Sequence, residues 1–443
     1  MADVLALSKH WRRAEPSSLE RAFYGDDIDR LLPESYEELS ETVRFAEASG
    51  RPLIPAGRGS HAYLGNPPPP RAVVVSLERL ASVLRYEPDD FTIGVQTGLP
   101  LKELREILRE NGQDVVGDFA RGATGTVGGH VASALPGPRR TRCGALRSSL
   151  IGVQGMRTGG RMFRAGGMVV KNVAGYEVGK FLVGSLGTAG VIVEANFKLR
   201  PLPAVREGGR AAFRDFRDAW SFARCLVDRR LDPAAVTVLS GQAAQRLRGE
   251  SSSPDTAPWE VVWLFEGNRT LVGWLGNQAE KLVVETRPLD DSSLADEEAA
   301  RVFDGLCRRW EPIAPLEADE AVVRLSLLAT EVPGVVRSLD AMLEAHPALE
   351  RELQADAASG QVVLRWRGDD GLEEPLRAIP DILRPLGRAG WLIYLPPELR
   401  ARWSYQLLVD PCRSVAQRIL DVFDPLGVFC PGRLLGPAAP GTG

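Results

Sequence analysis

The sequence has little cysteine, little histidine and no long apolar run, and each shortage excludes a class of protein. Its 443 residues include five cysteines, an odd number without a Cys-x-x-Cys pair. This argues against a disulfide scaffold, a zinc knuckle or an iron–sulfur cluster. No stretch of about 18 uninterrupted apolar residues occurs, so we expect no membrane-spanning helix. The net charge of −4 gives no basic surplus for nucleic acid. We therefore expect a cytoplasmic protein that associates with a membrane only indirectly, through partners.

Proline and glycine divide the chain into four parts. We predict a charged lead-in at 1–33, an α+β domain at 34–205, a second α+β domain at 206–435 and a disordered tail at 436–443. Prolines mark both inner boundaries, because proline interrupts regular backbone pairing. The second domain is expected to contain two similar strand–helix–strand halves.

Hydrophobic periodicity predicts the elements of both domains. Ser35, with Glu38 three residues on, is typical of a helix N-cap. The first domain is predicted to contain helices at 35–48 and 100–111 and strands at 51–55, 72–77 and 92–96. In the second domain, strands are predicted at 211–213, 234–239, 259–265, 321–328, 360–366 and 390–395, and helices at 215–229, 270–284, 334–345 and 376–386. The segment 286–296 is predicted to be a polar loop.

Four glycine-rich clusters lie within the first domain. They are 57–62 (GRGSHA), 122–130 (GATGTVGGH), 144–152 (GALRSSLIG) and 184–190 (GSLGTAG). Glycine lets backbone N–H groups come close to a ligand, and Ser and Thr hydroxyls add further donors. Packing alone does not explain four such clusters in one domain, which favour a phosphorylated ligand such as a dinucleotide.

The first cluster also matches the Gly-x-Gly-x-x-Ala dinucleotide fingerprint, but its context does not. A Rossmann fingerprint must open a helix. Here the chain continues into four prolines at 67–70, which cannot be helical. We therefore interpret 57–62 as a loop between strands that holds phosphate through consecutive N–H groups. A plain tight turn is the alternative.

The order of the clusters resembles that of the PCMH-type FAD-binding domain, the vanillyl-alcohol-oxidase type of flavoprotein. Two stretches, 135–140 (LPGPRR) and 171–176 (KNVAGY), resemble the FAD-binding subunit of bacterial glycolate oxidase, or glycolate dehydrogenase. The ending at 423–434 (FDPLGVFCPGRL) resembles the closing motif of FAD-linked oxidases. The implied fold class is α+β: a PCMH-type domain of two α+β subdomains, followed by an FAD-linked-oxidase-like C-terminal (cap) domain. The chain departs from the family at Ser148 and Glu177, where Asp is usual.

The resemblance implies a non-covalent FAD at a split site. Loops 57–60 and 126–129 would hold the pyrophosphate, segments 147–152 and 187–192 would line the adenosine end and the ribityl chain, and Arg433 would return to the flavin ring. The residues assigned to FAD on this basis are Ala56, Gly57, Arg58, Gly59, Ser60, His61, Gly65, Thr126, Gly128, Gly129, Arg147, Ser148, Gly152, Gly187, Thr188, Val191, Ile192 and Arg433.

Four side chains of this region have a second interpretation. Arg58 either pairs with a phosphate or points to solvent. His61 lies near a position where some flavoproteins of this fold bond covalently to flavin, but glycolate oxidase subunits usually lack a histidine there, which favours non-covalent FAD. His130 is either a core residue or a cofactor contact. Arg433 either stabilises the anionic reduced flavin, and so raises its potential, or is a solvated tail arginine.

The resemblance also implies an activity and partners. It implies the FAD-binding subunit of a complex that oxidises glycolate or a related small 2-hydroxy acid, with a sister FAD subunit and an iron–sulfur subunit that relays electrons. Such a substrate needs a base for its hydroxyl proton and a cation for its carboxylate. The family's catalytic subunits carry a histidine-containing GDGN-H type motif in the second domain. Because 206–435 contains no such motif, we assign no catalytic residue, and we assign no metal. A non-catalytic flavin-carrying subunit and a free-standing FAD-dependent 2-hydroxy-acid or alcohol oxidase are the alternatives.

Overall fold

The fold is taken from a computed structural model of the chain. It describes residues 11–115, 118, 124–168, 177–249, 257–309, 311, 319–368, 371–408 and 412–436. The 171–176 stretch, which carries part of the glycolate oxidase resemblance, lies outside the described residues. So do Gly122, Ala123 and the tail from 437 onwards.

The first sheet is small and parallel. It is built from α1 (Ser18–Tyr24), β1 (Asp29–Leu31), α2 (Tyr36–Ser49), β2 (Leu53–Ala56) and β3 (Val73–Ser76), with strand order β1-β3-β2. The helix α2 begins as predicted, because Ser35 Oγ accepts the Glu38 N–H at 3.1 Å. No helix lies between β2 and β3, so this connection is not a Rossmann crossover.

The second sheet is antiparallel and has six strands. Its elements are β4 (Val83–Glu87), β5 (Thr92–Gln96), α3 (Leu101–Glu110), β6 (Gln113–Val115), α4 (Val127–Ser133), α5 (Arg140–Cys143), α6 (Leu146–Ser149), β7 (Leu150–Arg157), β8 (Arg161–Gly166) and β9 (Val191–Pro201). The strand order is β4-β5-β9-β7-β8, with β6 beside β9. Its core packs α3 and α4 against β5, β7 and β9.

The third sheet has eight strands and follows in the second half of the chain. Its elements are β10 (Val205–Phe213), α7 (Phe216–Asp228), β11 (Ala235–Ser240), α8 (Gly241–Arg248), β12 (Trp259–Gly267), α9 (Arg269–Thr286), β13 (Asp290–Ala295), α10 (Asp296–Cys307), β14 (Glu320–Ser326), α11 (Val332–Glu344), β15 (Glu350–Asp356), β16 (Gln361–Arg367), α12 (Glu373–Leu383) and β17 (Gly390–Tyr394). The order β13-β10-β12-β11-β15-β16-β14-β17 consists of two four-stranded units joined at β11 and β15. The second unit is a βαββαβ unit, and the first has the same order with the helix α8 added between β11 and β12.

The end of the described chain packs against the first half of the protein. After α13 (Pro397–Arg400), α14 (Arg413–Phe423) places Leu420 in the core of the six-stranded sheet. Phe429 is fully buried against the parallel sheet, and the Leu53 N–H donates to the Val428 carbonyl oxygen at 2.7 Å. The 423–434 ending therefore lies beside β2, where the first glycine cluster begins.

The predicted polar loop at 286–296 is wrong. This segment contains β13, which pairs with β10 at the edge of the eight-stranded sheet. An edge strand exposes most of its side chains, so its sequence need not alternate between apolar and polar residues. Leu294 is the one side chain of β13 that is buried. None of the helices in the described ranges is long and apolar enough to cross a bilayer.

A buried charge network joins the two halves of the chain. Arg139, 2% exposed, contacts Asp118 Oδ1 at 2.6 Å, Asp114 Oδ2 at 3.3 Å and Glu266 Oε1 at 3.5 Å. Glu266 belongs to β12, and it also contacts Arg206 Nη2 at 2.5 Å. One arginine from the first half therefore neutralises carboxylates from both halves.

Candidate functional site

Two of the predicted loops meet at the carboxyl end of β2. Loop 57–62 follows β2, and Thr126 is the N-cap of α4, with its hydroxyl accepting the Gly129 N–H at 3.3 Å. A Cβ on Gly57 would overlap Thr126 Oγ1 and lie 2.9 Å from Thr126 Cβ. Gly59 has φ +74°, in the left-handed region that favours glycine. Glycine at position 57 therefore lets the two backbone segments lie side by side, and glycine at position 59 allows the turn of the loop.

The 184–190 cluster forms a neighbouring wall. The Leu186 N–H donates to the Ala132 carbonyl oxygen at 2.9 Å, which fixes this segment to α4. Gly187 packs on β2, since a Cβ there would lie 3.2 Å from Pro55 Cδ. The third wall of the site is thus built on the same helix and strand as the first two.

Arg433 returns from the C-terminal segment and is buried, with 4% exposed. Its Nη2 donates to the Tyr24 hydroxyl oxygen at 2.7 Å, and its guanidinium carbon lies 5.0 Å from the centre of the Tyr24 ring. Gly65, with φ +83°, makes room for it, because a Cβ there would lie 2.8 Å from Arg433 Cγ. Burial raises the pKa of Tyr24 to about 12, so this hydroxyl keeps its proton. The solvated alternative for Arg433 is excluded.

Asn66 connects three segments beside Arg433. Its N–H donates to the Arg433 carbonyl oxygen at 2.8 Å, and its Nδ2 donates to the Gly432 carbonyl oxygen at 2.8 Å. Its Oδ1 accepts the Tyr405 N–H at 2.7 Å. Because Tyr405 lies in the half of the chain that contains the eight-stranded sheet, one amide side chain connects the glycine loop, the C-terminal segment and that half.

These segments line a cleft that is open to solvent on one side. Nine predicted residues line it, namely Ala56, Gly57, Arg58, Gly59, Ser60, His61, Thr126, Gly129 and Arg433. Six further residues line it that were not predicted from the sequence, namely Tyr24, Pro55, Ala62, Ala132, Ser133 and Leu186. Two buried atoms of the lining, His61 Nδ1 and Arg433 Nη1, have no hydrogen-bond partner among the described residues. Buried polar groups are normally paired, so the cleft suits a ligand that bears acceptors.

The two histidines of this region are neutral at pH 7. Burial lowers the pKa of His61 to about 4 and, with the neighbouring His61, also lowers the pKa of His130 to about 4. Neither ring therefore brings a positive charge to a phosphate. Arg58 is exposed at the edge of the cleft, so both of its interpretations stay open.

A second cleft also borders α4. Its lining includes Asp118, His130, Arg140, Arg147, Val183 and the segments 134–137 and 144–146. Arg147, assigned from the sequence, is thus at a cleft, and most of the glycolate-oxidase-like stretch 135–140 forms its wall. The pairing of the Asp118 carboxylate with Arg139 (Oδ1 to Nε, 2.6 Å) leaves Arg140 and Arg147 as the cations of this lining.

Eight predicted residues line neither cleft: Gly65, Gly128, Ser148, Gly152, Gly187, Thr188, Val191 and Ile192. Gly128 packs on Thr97, whose Cβ lies 2.9 Å from the place of an added Cβ. The Thr188 hydroxyl donates to the Ser185 carbonyl oxygen at 2.7 Å, within its own turn. Val191 and Ile192 are buried core residues. These residues shape the walls, and their assignment to FAD stays a prediction. No group of three or more His, Cys, Asp or Glu side chains in the described part of the chain could hold a metal ion.

Residues 30–166 match the family model of the FAD binding domain. The chain therefore contains a PCMH-type FAD-binding domain, in a mixed α+β fold, and its cofactor is FAD. The residues present fit this cofactor, because glycine loops, a helix N-terminus and the unpaired Arg433 Nη1 converge on one cleft.

Comparisons with known proteins relate the chain to FAD-dependent oxidoreductases. It is 32% identical over 200 residues to D-2-hydroxyglutarate dehydrogenase of Xanthomonas citri pv. viticola, covering 43% of this chain and 42% of that protein. It is 34% identical over 168 residues to glycolate oxidase subunit GlcE of Escherichia coli, covering 38% and 47% respectively. The chain thus spans less than half the length of these curated relatives. A structure of p-cresol methylhydroxylase with substrate bound shares the fold, with a TM-score of 0.71 and 14% identity over 98% of this chain and 92% of that one.

The expected state of the cofactor gives a first prediction. We expect acid or heat denaturation to release FAD into the supernatant, because the sequence predicts a non-covalent cofactor that is held by contacts of the folded loops. The measurement is flavin fluorescence of the supernatant and of the denatured polypeptide on a gel. Fluorescence that stays with the wild-type polypeptide, but not with His61→Ala, would show instead that His61 bonds covalently to the flavin.

Proposed function

We propose that the chain is the FAD-binding subunit of a glycolate-oxidase-like complex that oxidises glycolate or a related small 2-hydroxy acid. Its partners would be a sister FAD subunit and an iron–sulfur subunit that receives the electrons, in the cytoplasm or attached to a membrane through the complex. The FAD-binding domain and the similarity to GlcE and to D-2-hydroxyglutarate dehydrogenase support this proposal. Bound FAD would supply the two-electron acceptor.

One arginine of the eight-stranded sheet carries the substrate part of the proposal. Arg324 lies on β14 two residues from Val322, so both side chains lie on the same face of the sheet. That face packs against the first half, since Val322 shares a cluster with Tyr63 and Leu186. Arg324 stacks on Trp391, with its guanidinium carbon 3.9 Å from the ring centre.

Arg324 has no carboxylate partner among the described residues, and its buried Nε has no hydrogen-bond partner there. Burial lowers its pKa, yet an arginine remains charged at pH 7. Arg324 is half-buried, and a partly desolvated cation without a carboxylate partner among the described residues favours a ligand that brings one. The carboxylate of a 2-hydroxy acid is such a ligand, and a guanidinium can bind it through two parallel hydrogen bonds.

The described part of the second half offers no histidine that is placed to take the hydroxyl proton. The only histidine beyond residue 206 is His346, and its Nδ1 lies 3.1 Å from Glu374 Oε2, between α11 and α12. We therefore propose that this chain holds the FAD and supplies the cation that binds the substrate carboxylate. The sister subunit would supply the base.

The test is anaerobic mixing of the FAD-loaded chain with glycolate, alone and after assembly with its partner subunits, followed by flavin absorbance. We expect reduction in the complex to be at least about 100-fold faster, the lower range of what a positioned base contributes. If glycolate reduced the flavin of the isolated chain as fast as that of the complex, the proposal that the sister subunit supplies the base would be wrong. No reduction of this chain's flavin in the complex would instead favour the non-catalytic, flavin-carrying alternative. Peroxide formation by the isolated chain would favour the free-standing oxidase.

Arg324→Met belongs to the same experiment. We expect it to raise the KM of the complex for glycolate by about 10- to 100-fold with little loss of FAD, because it removes a charge-assisted hydrogen bond of about 1.5–3 kcal/mol. Arg367→Met is the matched control, since Arg367 lies in the same sheet but is half-exposed and paired with Glu350 at 2.7 Å. Equal KM values for the two variants would show that Arg324 does not bind the carboxylate of the substrate.

A further inference from the structure

A buried ion pair lies directly beneath the first glycine cluster. Glu20 is fully buried and Arg30 is 5% exposed. Arg30 Nη1 lies 2.5 Å from each carboxylate oxygen of Glu20. Both residues belong to the lead-in, outside every segment assigned to FAD from the sequence. A buried ion pair contributes little to stability by itself, so what else this pair contacts is informative.

The pair fixes one peptide group of the loop. Arg30 Nη2 donates to the Gly57 carbonyl oxygen at 2.9 Å, and the Ser76 hydroxyl donates to the same oxygen at 2.8 Å. Two donors therefore hold this carbonyl on the side of the loop away from the cleft. In a trans peptide the carbonyl and the next N–H point in opposite directions. The Arg58 N–H is thus turned towards the cleft.

The same pair supports a second loop residue. Gly59 packs on Glu20 and Ser17, since a Cβ there would lie 2.8 Å from Glu20 Cδ and 2.9 Å from Ser17 Oγ. Glu20 is itself held by the capping box of α1, where its Oε2 accepts the Ser17 N–H at 2.8 Å. Both glycines of the loop, Gly57 and Gly59, are therefore placed by contacts with the α1–β1 segment and β3.

We propose that Glu20, Arg30 and Ser76 are positioning residues that orient the backbone N–H groups of 58–60 towards the pyrophosphate of FAD. They act through the loop and touch no ligand. This inference rests on the assignment of loop 57–60 to the pyrophosphate. It adds that residues of the lead-in hold this loop in the conformation that binds the pyrophosphate. Donors held in place before the ligand arrives bind it more tightly than donors that must be ordered on binding.

The experiment measures ligand binding to the full chain after removal of FAD. The probes are FAD and ADP, which contain a pyrophosphate, and riboflavin, which does not. We expect Arg30→Met to weaken FAD and ADP binding about 10- to 100-fold and Ser76→Ala about 3- to 10-fold, from the loss of charged and neutral hydrogen bonds to Gly57. Riboflavin binding should not change. Amide hydrogen exchange at 58–60 in the FAD-free chain should become faster in both variants.

Arg365→Met is the matched control. Arg365 is as buried as Arg30, contacts Glu320 at 2.7 Å, and donates to the carbonyl oxygens of Arg309 and Glu311. The Arg365→Met variant should have a lower melting temperature than the wild type and should bind ADP with unchanged affinity. If Arg30→Met fails to fold, Ser76→Ala decides alone. Wild-type ADP binding in Ser76→Ala, or an equal loss of riboflavin binding, would overturn the positioning role. Failure of the wild-type chain to bind ADP would instead overturn the pyrophosphate assignment itself.

Discussion

Gly57→Ala is expected to weaken FAD binding by about 100-fold, because relieving an overlap of this kind costs up to about 3 kcal/mol. The added Cβ would overlap Thr126 Oγ1 and lie 2.7 Å from Cγ2 and 2.9 Å from Cβ. A rotation of the Thr126 side chain cannot relieve the contact with Cβ, so the backbones of the loop and of α4 must separate. The measurement is a fluorescence titration of the FAD-free chain with FAD.

Two further variants test this explanation. Gly57→Ala with Thr126→Gly should recover most of the affinity, because glycine reopens the space and remains a tolerable N-cap. Gly273→Ala is the control, since no atom lies within 4 Å of its added Cβ in α9. That variant should bind FAD normally and gain about 1 kcal/mol of stability. Full FAD affinity in Gly57→Ala would show that the loop and α4 do not need to touch for binding.

Arg139→Met is expected to lower the free energy of unfolding by about 3–5 kcal/mol at neutral pH, because the substitution takes the paired cation from the buried Asp118 and leaves Asp114 and Glu266 with only Arg200 and Arg206. Asp114, Asp118 and Glu266 all lie within 3.5 Å of the Arg139 side chain. The melting temperature and the urea midpoint measure the loss. Because Glu266 belongs to the other half of the chain, the two halves should also separate at lower urea concentrations.

The pH dependence of this variant has a definite sign. Burial raises the pKa of Asp114 in the folded wild type, and removal of Arg139 raises it further. Between the unfolded and folded pKa values the folded state holds more protons than the unfolded state, so stability falls as pH rises through this range. The loss relative to wild type should therefore be larger at pH 8 than at pH 5. Arg229→Met, which breaks an exposed pair with Glu285, should change the free energy of unfolding little at either pH. A pH-independent loss in Arg139→Met would contradict this account.

The sequence predicted the glycine part of the site for a physical reason. Gly57 has no room for a Cβ, and Gly59 has a positive φ that favours glycine. The residue type at these two positions therefore indicates the local backbone geometry. The strands and helices with regular apolar spacing, such as 92–96 and 100–111, were likewise predictable, because one face of each is buried.

The side chains that support the loop could not be predicted in this way. Tyr24 contacts Arg433, which lies 409 residues further along the chain, and Arg30 contacts Gly57, which lies 27 residues further along. The sequence around Tyr24 and Arg30 contains no motif that indicates these contacts. Arg324 is one of many arginines, and only the pairing of β14 with β17 places it over Trp391. Long-range pairing decides these positions, whereas sequence patterns report local structure.

The distance along the chain between Arg433 and its partners also constrains biosynthesis. Ala62 and Arg433 are 371 residues apart, and a ribosome adds about 5–20 residues per second. The nascent first half must therefore wait roughly 20 s or more for the segment that completes its cofactor cleft. During that interval His61 and the glycine loop are without the cover that Arg433 provides, so tight retention of FAD should begin only after the segment around Arg433 has been synthesised and has folded onto the loop.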